Sequence, residues 1–135
     1  MPKASPQWIA ERILLEGSQR KRVTVRLGQP EKISDLEWRS VVEIVRGKRR
    51  ETEFVYGIDA FQSLTIAIEF IGYELDKGGR QITWEGGGPG DTGFPMYFPD
   101  VFGRQFSLKL RRIIGVEKQR FLLTGRRRKK STKKP

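Results

Sequence analysis

The spacing of apolar residues changes once along this chain, at residues 57–59. Before that point, four runs alternate apolar with polar residues, at 8–16, 20–28, 38–46 and 51–56, and in the last run Phe54 and Tyr56 are predicted on the apolar side. Alternation with a period of two predicts strands, and the turn residues between successive runs predict two hairpins. The first part of the chain is therefore expected to form a four-stranded antiparallel meander.

A helix is predicted directly after Gly57, because Asp59 and Gln62 have the spacing of a reciprocal N-terminal cap. From there the apolar residues recur at intervals of three and four, the period of one face of an α-helix. This stripe consists of Phe61, Leu64, Ile68, Ile71 and Leu75. A Gly-Gly pair at 78–79 ends the helix, and a fifth strand is predicted over 80–85. The predicted fold class is α+β, an antiparallel sheet of four to five strands packed by one long central helix.

Residues 104–123 fit two patterns. Phe106, Leu108 and Leu110 alternate as in a strand, whereas a second set lines one face of a helix. The helical set consists of Phe106, Leu110, Ile113, Ile114 and Phe121. The length of the segment and its lack of proline favour a C-terminal helix.

Charge is distributed very unevenly along the chain. Residues 1–103 carry 14 basic and 15 acidic side chains, whereas residues 104–135 carry 13 basic and one acidic. The sequence of 126–135, RRRKKSTKKP, has no large apolar side chain and cannot bury enough surface to offset the entropy of ordering. We therefore predict one α+β domain over 1–125 and a disordered basic tail over 126–135.

Such a concentration of cations attracts polyanions through counterion release, and both nucleic acids and anionic membranes are polyanions. The predicted polyanion contacts are Arg111, Arg112, Lys118, Arg120, Arg126, Arg127, Arg128, Lys129 and Lys130. A tail that only raises solubility, with no specific partner, is the alternative interpretation.

The chain contains neither cysteine nor histidine, which excludes disulfides, thiolate nucleophiles, imidazole bases and Cys/His zinc sites. Asp59 and Glu69 lie ten residues apart on the predicted helix, about 15 Å along its axis and too far for a glycosidase pair. Asp91 and Asp100 lack the regularly spaced partners of a metal-binding loop. We predict no cofactor, no metal site and no enzymatic activity.

Residues 86–100 hold five glycines and three prolines, which favours a loop. Within it, residues 88–93 match GxGxxG, but the Phe-Pro pairs at 94–95 and 98–99 exclude the helix that a dinucleotide site requires. The loop also carries an apolar cluster that we predict to contact a protein partner. Its members are Phe94, Met96, Tyr97 and Phe98. Packing of this cluster back onto the sheet is the alternative.

The segments VYGIDAFQSLTIAIEFIGYEL and ITWEGGGPGDTGFP resemble a family of small uncharacterised bacterial proteins. In that family a Gly-Ile-Asp-Ala-x-Gln-x-Leu helix start follows a strand meander, and a Trp-x-Gly-Gly to Gly-Phe-Pro stretch comes later. The likeness is best over 55–95, it implies an α+β fold in a bacterial cytoplasmic protein, and it implies no reaction. We interpret four of its positions as structural: Gly57, Asp59, Gln62 and Trp84. The basic C-terminal tail departs from the family pattern.

The sequence has no apolar run of membrane-spanning length and no signal-peptide core near its start, so a soluble cytoplasmic protein is expected. The leading hypothesis is a non-enzymatic domain that binds a protein or a second copy of itself, with a basic C-terminus that contacts a polyanion. The first alternative is a nucleic-acid-binding protein in which residues 104–134 contact phosphates. An immunity-type inhibitor of a toxin is the second, although a net charge of +11 argues against a nuclease as its target. An enzyme that uses carboxylates ranks last.

Overall fold

The computed structural model describes residues 5–95 and 102–131, with side chains up to residue 125. These residues form a mixed α+β structure, as predicted. The strands are β1 (Trp8–Glu16), β2 (Lys21–Gly28), β3 (Glu31–Ser34), β4 (Glu37–Arg46), β5 (Arg49–Gly57) and β6 (Ile82–Trp84). The helices are α1 (Ala60–Asp76) and α2 (Gly103–Ser131). The chain divides into two compact units, 1–97 and 98–135. The division into a domain over 1–125 and a tail over 126–135 stays a prediction.

The six strands form one antiparallel sheet in the first unit. Strands β1, β2, β4 and β5 pair in succession, which confirms the predicted meander. Strand β6 pairs with β1, where Leu15 lies opposite Thr83. Strand β4 pairs on both sides, with β5 along one edge and with β2 and β3 along the other.

The short strand β3 corrects the predicted count of four to five strands. Its residues follow Pro30 and pair with the start of β4, where Glu31 lies opposite Arg39. An ion pair of 3.0 Å between Arg39 Nε and Glu31 Oε2 joins the two strands and raises the pKa of the Arg39 guanidinium above its ordinary value. All four residues of β3 are exposed, so no buried apolar residue marks the strand in the sequence.

One face of the sheet packs against α1 and forms the hydrophobic core. The buried side chains come from five strands and the helix. They are Leu14, Val23, Val25, Leu27, Val42, Ile44, Val55, Ile82, Ala67, Ile71 and Leu75. Because a buried aliphatic side chain contributes about 1.5–3 kcal/mol, this layer is the main source of stability in the first unit.

The buried face differs from the prediction in β5 and in α1. Val55 faces the core, whereas its neighbours Phe54 and Tyr56, which we predicted on the apolar side, are 48% and 50% exposed. Since side chains alternate along a strand, an error of one residue in the inward phase exchanges the two faces. In α1, Phe61 was predicted as the first residue of the buried apolar face but is 84% exposed.

Small residues explain why the buried face of α1 differs from the predicted one. Ser63 and Ala67 are fully buried and, with Ile71 and Leu75, form the face that meets the sheet. At 100° per residue Phe61 lies well to one side of this face, which accounts for its exposure. The Ser63 hydroxyl lies 3.0 Å from the hydroxyl of Ser40 on β4, and it also donates to the carbonyl of Ala60 at 3.1 Å. Each buried hydroxyl therefore has a partner, as burial of a polar group requires.

The predicted cap forms at the start of α1. Asp59 Oδ1 accepts a hydrogen bond from the backbone N–H of Gln62 at 2.7 Å. The side chain of Gln62 reaches back and accepts from the N–H of Ile58 at 2.7 Å. Glycine is required at position 57, since a Cβ there would lie 2.5 Å from the backbone nitrogen of Ser63. The strand-to-helix connection is therefore determined locally.

The C-terminal segment is a helix, which resolves the choice between strand and helix over 104–123. Helix α2 runs on to Ser131, into the segment 126–135 for which we predict disorder. The side chains from 126 onward and residues 132–135 lie outside what the structure describes, so the disorder of this tail stays a prediction.

Candidate polyanion-binding helix

The described side chains of α2 are mostly exposed, and six of them are cations. Four of the predicted polyanion contacts are among these six: Arg111, Arg112, Lys118 and Arg120. The other two are Arg104 and Lys109. Within the part of the chain that the structure describes, one of the six forms an ion pair, Arg120 with Glu117 at 3.0 Å. Five cations of α2 thus have no carboxylate partner among the described residues.

The remaining predicted polyanion contacts lie in the last turns of α2. They are Arg126, Arg127, Arg128, Lys129 and Lys130. The structure gives their backbone as helix and does not describe their side chains, so their contacts stay predictions.

The apolar face of α2 is exposed as well. Phe121 is 80% exposed, Ile113 and Ile114 are each about half exposed, and Phe106 is 37% exposed. Together with the partly exposed Leu110, these residues fall within an arc of about 100° when a helix turns 100° per residue. We call this set of five residues the apolar stripe.

Cations of the first unit are mostly paired, in contrast to those of α2. Eight of the thirteen Lys and Arg side chains in residues 5–95 lie within 4.0 Å of a carboxylate oxygen. They are Arg26, Lys32, Arg39, Arg46, Arg49, Arg50, Lys77 and Arg80. Arg26 bridges Glu11 at 2.6 Å and Glu43 at 3.1 Å, and its hydrogen bond to Glu11 raises the pKa of the guanidinium above its ordinary value.

A second cluster forms where the glycine-rich loop meets β1. The guanidinium carbon of Arg12 lies 4.5 Å from the ring centroids of both Trp84 and Phe94, so the cation lies against both aromatic rings. Arg12 Nη1 also donates to the carbonyl of Thr92 at 3.2 Å. Cation–π contacts of this kind contribute about 0.5–2 kcal/mol each, and here they attach the loop to the sheet.

Glycines enclose the indole of Trp84. A Cβ built on Gly87 would lie 2.5 Å from Trp84 Nε1, and one on Gly93 would lie 2.8 Å from Trp84 Cε2. Gly93 also has a φ of +72°, which side chains rarely adopt. The Trp84 Nε1 atom is buried without a hydrogen-bond partner among the described residues. The cluster is thus built from close packing, and its geometry supports the structural interpretation of Trp84.

The structure describes one of the four residues that we predict to contact a protein partner. Phe94 is half-buried, packs against the core and lies beside Arg12. Met96, Tyr97 and Phe98 lie outside the described residues. Arg12 was not predicted as part of a site, although the sequence carries a signal for it, because this cation lies between Ala10 and Leu14 on one face of β1.

The carboxylates considered for catalysis have other partners. Asp59 caps α1, and Asp91 Oδ1 accepts from the N–H of Gly93 at 2.8 Å within the loop. Asp100 lies outside the described residues. In the described residues, no three His, Cys, Asp or Glu side chains gather in a way that could hold a metal ion.

Comparison with known proteins identifies the first unit. A model of the family described as a domain of unknown function, DUF6968, matches residues 10–96. The chain belongs to this family. No curated protein and no solved structure matches the chain. The DUF6968 match contains most of the sheet, all of α1 and the Trp84 loop, and it ends before α2 begins.

A helix that spans a membrane needs a long run of apolar residues. Neither helix within the described residues is long and apolar enough to cross a bilayer.

Proposed function

We propose that this chain is a cytoplasmic, non-enzymatic binding protein in which the DUF6968 unit is a scaffold and helix α2 contacts an anionic partner. One observation carries the proposal. Five of the six described cations of α2 have no carboxylate partner among the described residues. In residues 5–95, by contrast, eight of thirteen cations are paired.

Unpaired cations on an exposed helix favour association with an external polyanion. A cation that already holds a carboxylate must lose that partner before it binds a phosphate, whereas the α2 cations bring only water and counterions to be displaced. Arg104, Arg111 and Lys118 follow one another at intervals of seven residues. Seven residues rise about 10.5 Å with little rotation, so these three cations form a row along one side of the helix.

The non-enzymatic part of the proposal rests on the chemistry of the side chains. The sequence offers no histidine or cysteine for nucleophilic or general-base catalysis. Asp59 and Asp91 are engaged in backbone hydrogen bonds that shape a cap and a turn. These carboxylates therefore have local structural partners and do not converge on a shared centre.

The experiment is a salt titration of the full chain against a labelled single-stranded oligonucleotide, which serves as a generic polyanion. Anisotropy is recorded from roughly 50 to 300 mM salt, where counterion release makes log K fall linearly with log salt. Two triple variants are compared, R111Q/R112Q/K118Q on α2 and K21Q/R22Q/K48Q at or next to the hairpin turns of the first unit. Each removes three positive charges, and Lys21, Arg22 and Lys48 are exposed.

We expect the α2 variant to reduce the magnitude of the salt slope by about 2, because each phosphate contact on a single strand releases about 0.7 counterion. The first-unit variant should keep the slope of the unaltered protein. Equal losses in the two variants would assign the attraction to net charge alone and overturn the role of α2. Absence of binding at low salt would overturn the proposed function as a whole.

A further inference from the structure

We infer that the anionic partner of α2 is a lipid surface, on which the helix lies flat with its apolar stripe at the boundary between headgroups and acyl chains. This inference rests on the proposed function and names the partner class for the same helix. It is carried by a second property of α2, the exposure of its apolar stripe, which electrostatics alone does not explain.

The apolar stripe is long enough to contact an interface along much of the helix. It extends from Phe106 to Phe121, a separation of fifteen residue steps, or about 22 Å along the helix axis. Phe121 is 80% exposed, and Ile113 and Ile114 are 48% and 47% exposed. A helix with a face of apolar and aromatic side chains that is flanked by cations is the type that lies in the plane of a membrane interface. Leu108 and Leu123 are also exposed, but they lie outside the apolar stripe.

The cations flank the stripe on both sides. At 100° per residue, the row Arg104, Arg111 and Lys118 lies on one side of the arc, and Lys109 and Arg120 lie on the other. Long basic side chains in such positions can extend to the headgroup phosphates while their methylene stems remain over apolar surface. Glu117 lies inside the arc, and its ion pair with Arg120 joins it to the cationic flank.

A lipid surface accounts for both properties of the helix, and two other partners account for one. A nucleic acid would contact the cations but would leave the apolar stripe in water. A second copy of α2 would cover the stripe but would bring together two helices that each carry six described cations and one acid. An anionic bilayer removes the stripe from water and supplies the opposite charge.

The test asks whether vesicle binding depends on where the exposed apolar side chains lie on α2 or only on how many there are. Full-length protein is floated with phosphatidylcholine vesicles that contain about 30% phosphatidylserine, and with phosphatidylcholine alone, since anionic lipid supplies the attraction. The stripe variant I114Q/F121Q is compared with L108Q/L123Q, whose residues are 45% and 58% exposed on the opposite side of α2. Both variants exchange two exposed apolar side chains for Gln, and circular dichroism shows whether helix content is equal.

We expect I114Q/F121Q to reduce binding to the anionic vesicles about tenfold or more, because it removes two large side chains from the interface. The variant L108Q/L123Q should stay within about twofold of the unaltered protein, and vesicles without phosphatidylserine should bind weakly. Oligonucleotide binding should be the same in both variants. Equal vesicle binding by the two variants would overturn the lipid assignment.

A site-specific probe gives an independent readout. The chain has no cysteine, so F121C and L123C can each carry one polarity-sensitive fluorophore. We expect a blue shift with anionic vesicles at position 121 and little shift at position 123. Binding to the oligonucleotide without binding to vesicles would overturn the lipid proposal and leave the proposed function standing. Loss of both kinds of binding would overturn both, and a change in sedimentation caused by I114Q/F121Q without vesicles would assign the stripe to self-association.

Discussion

In residues 5–95, eight of thirteen cations have carboxylate partners, and a layer of aliphatic side chains is buried between the sheet and α1. In α2, one of six described cations is paired and the apolar stripe is exposed. Both regions contain Arg, Leu, Ile and Phe. The difference lies in whether these side chains find partners within their own unit. Many side chains of the first unit hold its fold together, whereas the described side chains of α2 are mostly exposed.

The comparison also changes what the net charge means. The chain carries +11, but residues 1–103 contribute −1 and residues 104–135 contribute +12. The net charge of the whole chain therefore describes neither region. The excess positive charge lies in one helix and its extension, and the DUF6968 unit is close to neutral.

The largest effect is expected from a change in the core of the first unit. Leu14 is fully buried on β1, opposite Val23 on β2 and Trp84 on β6. The substitution L14A removes three buried carbons. It should lower the free energy of unfolding by about 3–5 kcal/mol, through lost burial and the cavity that remains. The measurement is urea denaturation followed by tryptophan fluorescence, since all three tryptophans lie in the first unit.

The matched substitution in α2 is L123A, at a position that is 58% exposed. It should change the same unfolding transition by less than about 0.5 kcal/mol, as substitutions at exposed sites usually do. A loss from L123A close to that from L14A would mean that α2 supports the first unit, and the contrast between the two regions would fail.

The next effect concerns a buried carboxylate. Glu43 is 4% exposed on β4 and lies 3.1 Å from Arg26 and 3.8 Å from Arg50. E43Q keeps the shape but replaces a charge-assisted hydrogen bond by a neutral one, and we expect a loss of about 1–2 kcal/mol in the free energy of unfolding. E53Q, at an exposed position of the neighbouring strand, is the control and should have little effect. An unchanged midpoint in E43Q would show that pairing in this unit contributes little to stability.

The sequence predicted the elements of the first unit well because their periods are distinct. Alternation gave β1, β2, β4 and β5, and the Asp59 and Gln62 pair gave the start of α1. The inward phase of β5 was wrong because Phe54, Val55 and Tyr56 are all apolar, so alternation does not decide which of them is buried. Pairing with β4 decides it, since Val55 lies opposite Ser40, whose hydroxyl contacts Ser63 of α1, so this pair is on the face that α1 covers.

Contacts between distant segments were beyond the reach of sequence patterns. Arg12 contacts Thr92 across eighty residues, and no local period predicts that a strand cation will lie against two aromatic rings of a loop. Strand β3 was missed because its side chains are all exposed. The cations of α2, by contrast, were found from composition alone, because their distribution along the chain is so uneven.

The smallest expected change in stability concerns the one ion pair among the described residues of α2. Glu117 is the single acid among residues 104–135, it is exposed, and it holds Arg120 at 3.0 Å. E117Q should leave the free energy of unfolding within about 0.5 kcal/mol, because an exposed ion pair on a helix contributes little. Binding to anionic vesicles should nevertheless rise about fivefold at low salt, because Arg120 is released and a charge near a membrane surface is worth about 1 kcal/mol. E53Q makes the same change in net charge in the first unit and should leave vesicle binding unaltered. An equal gain in both variants would mean that the lipid surface senses total charge, and α2 would lose its separate role.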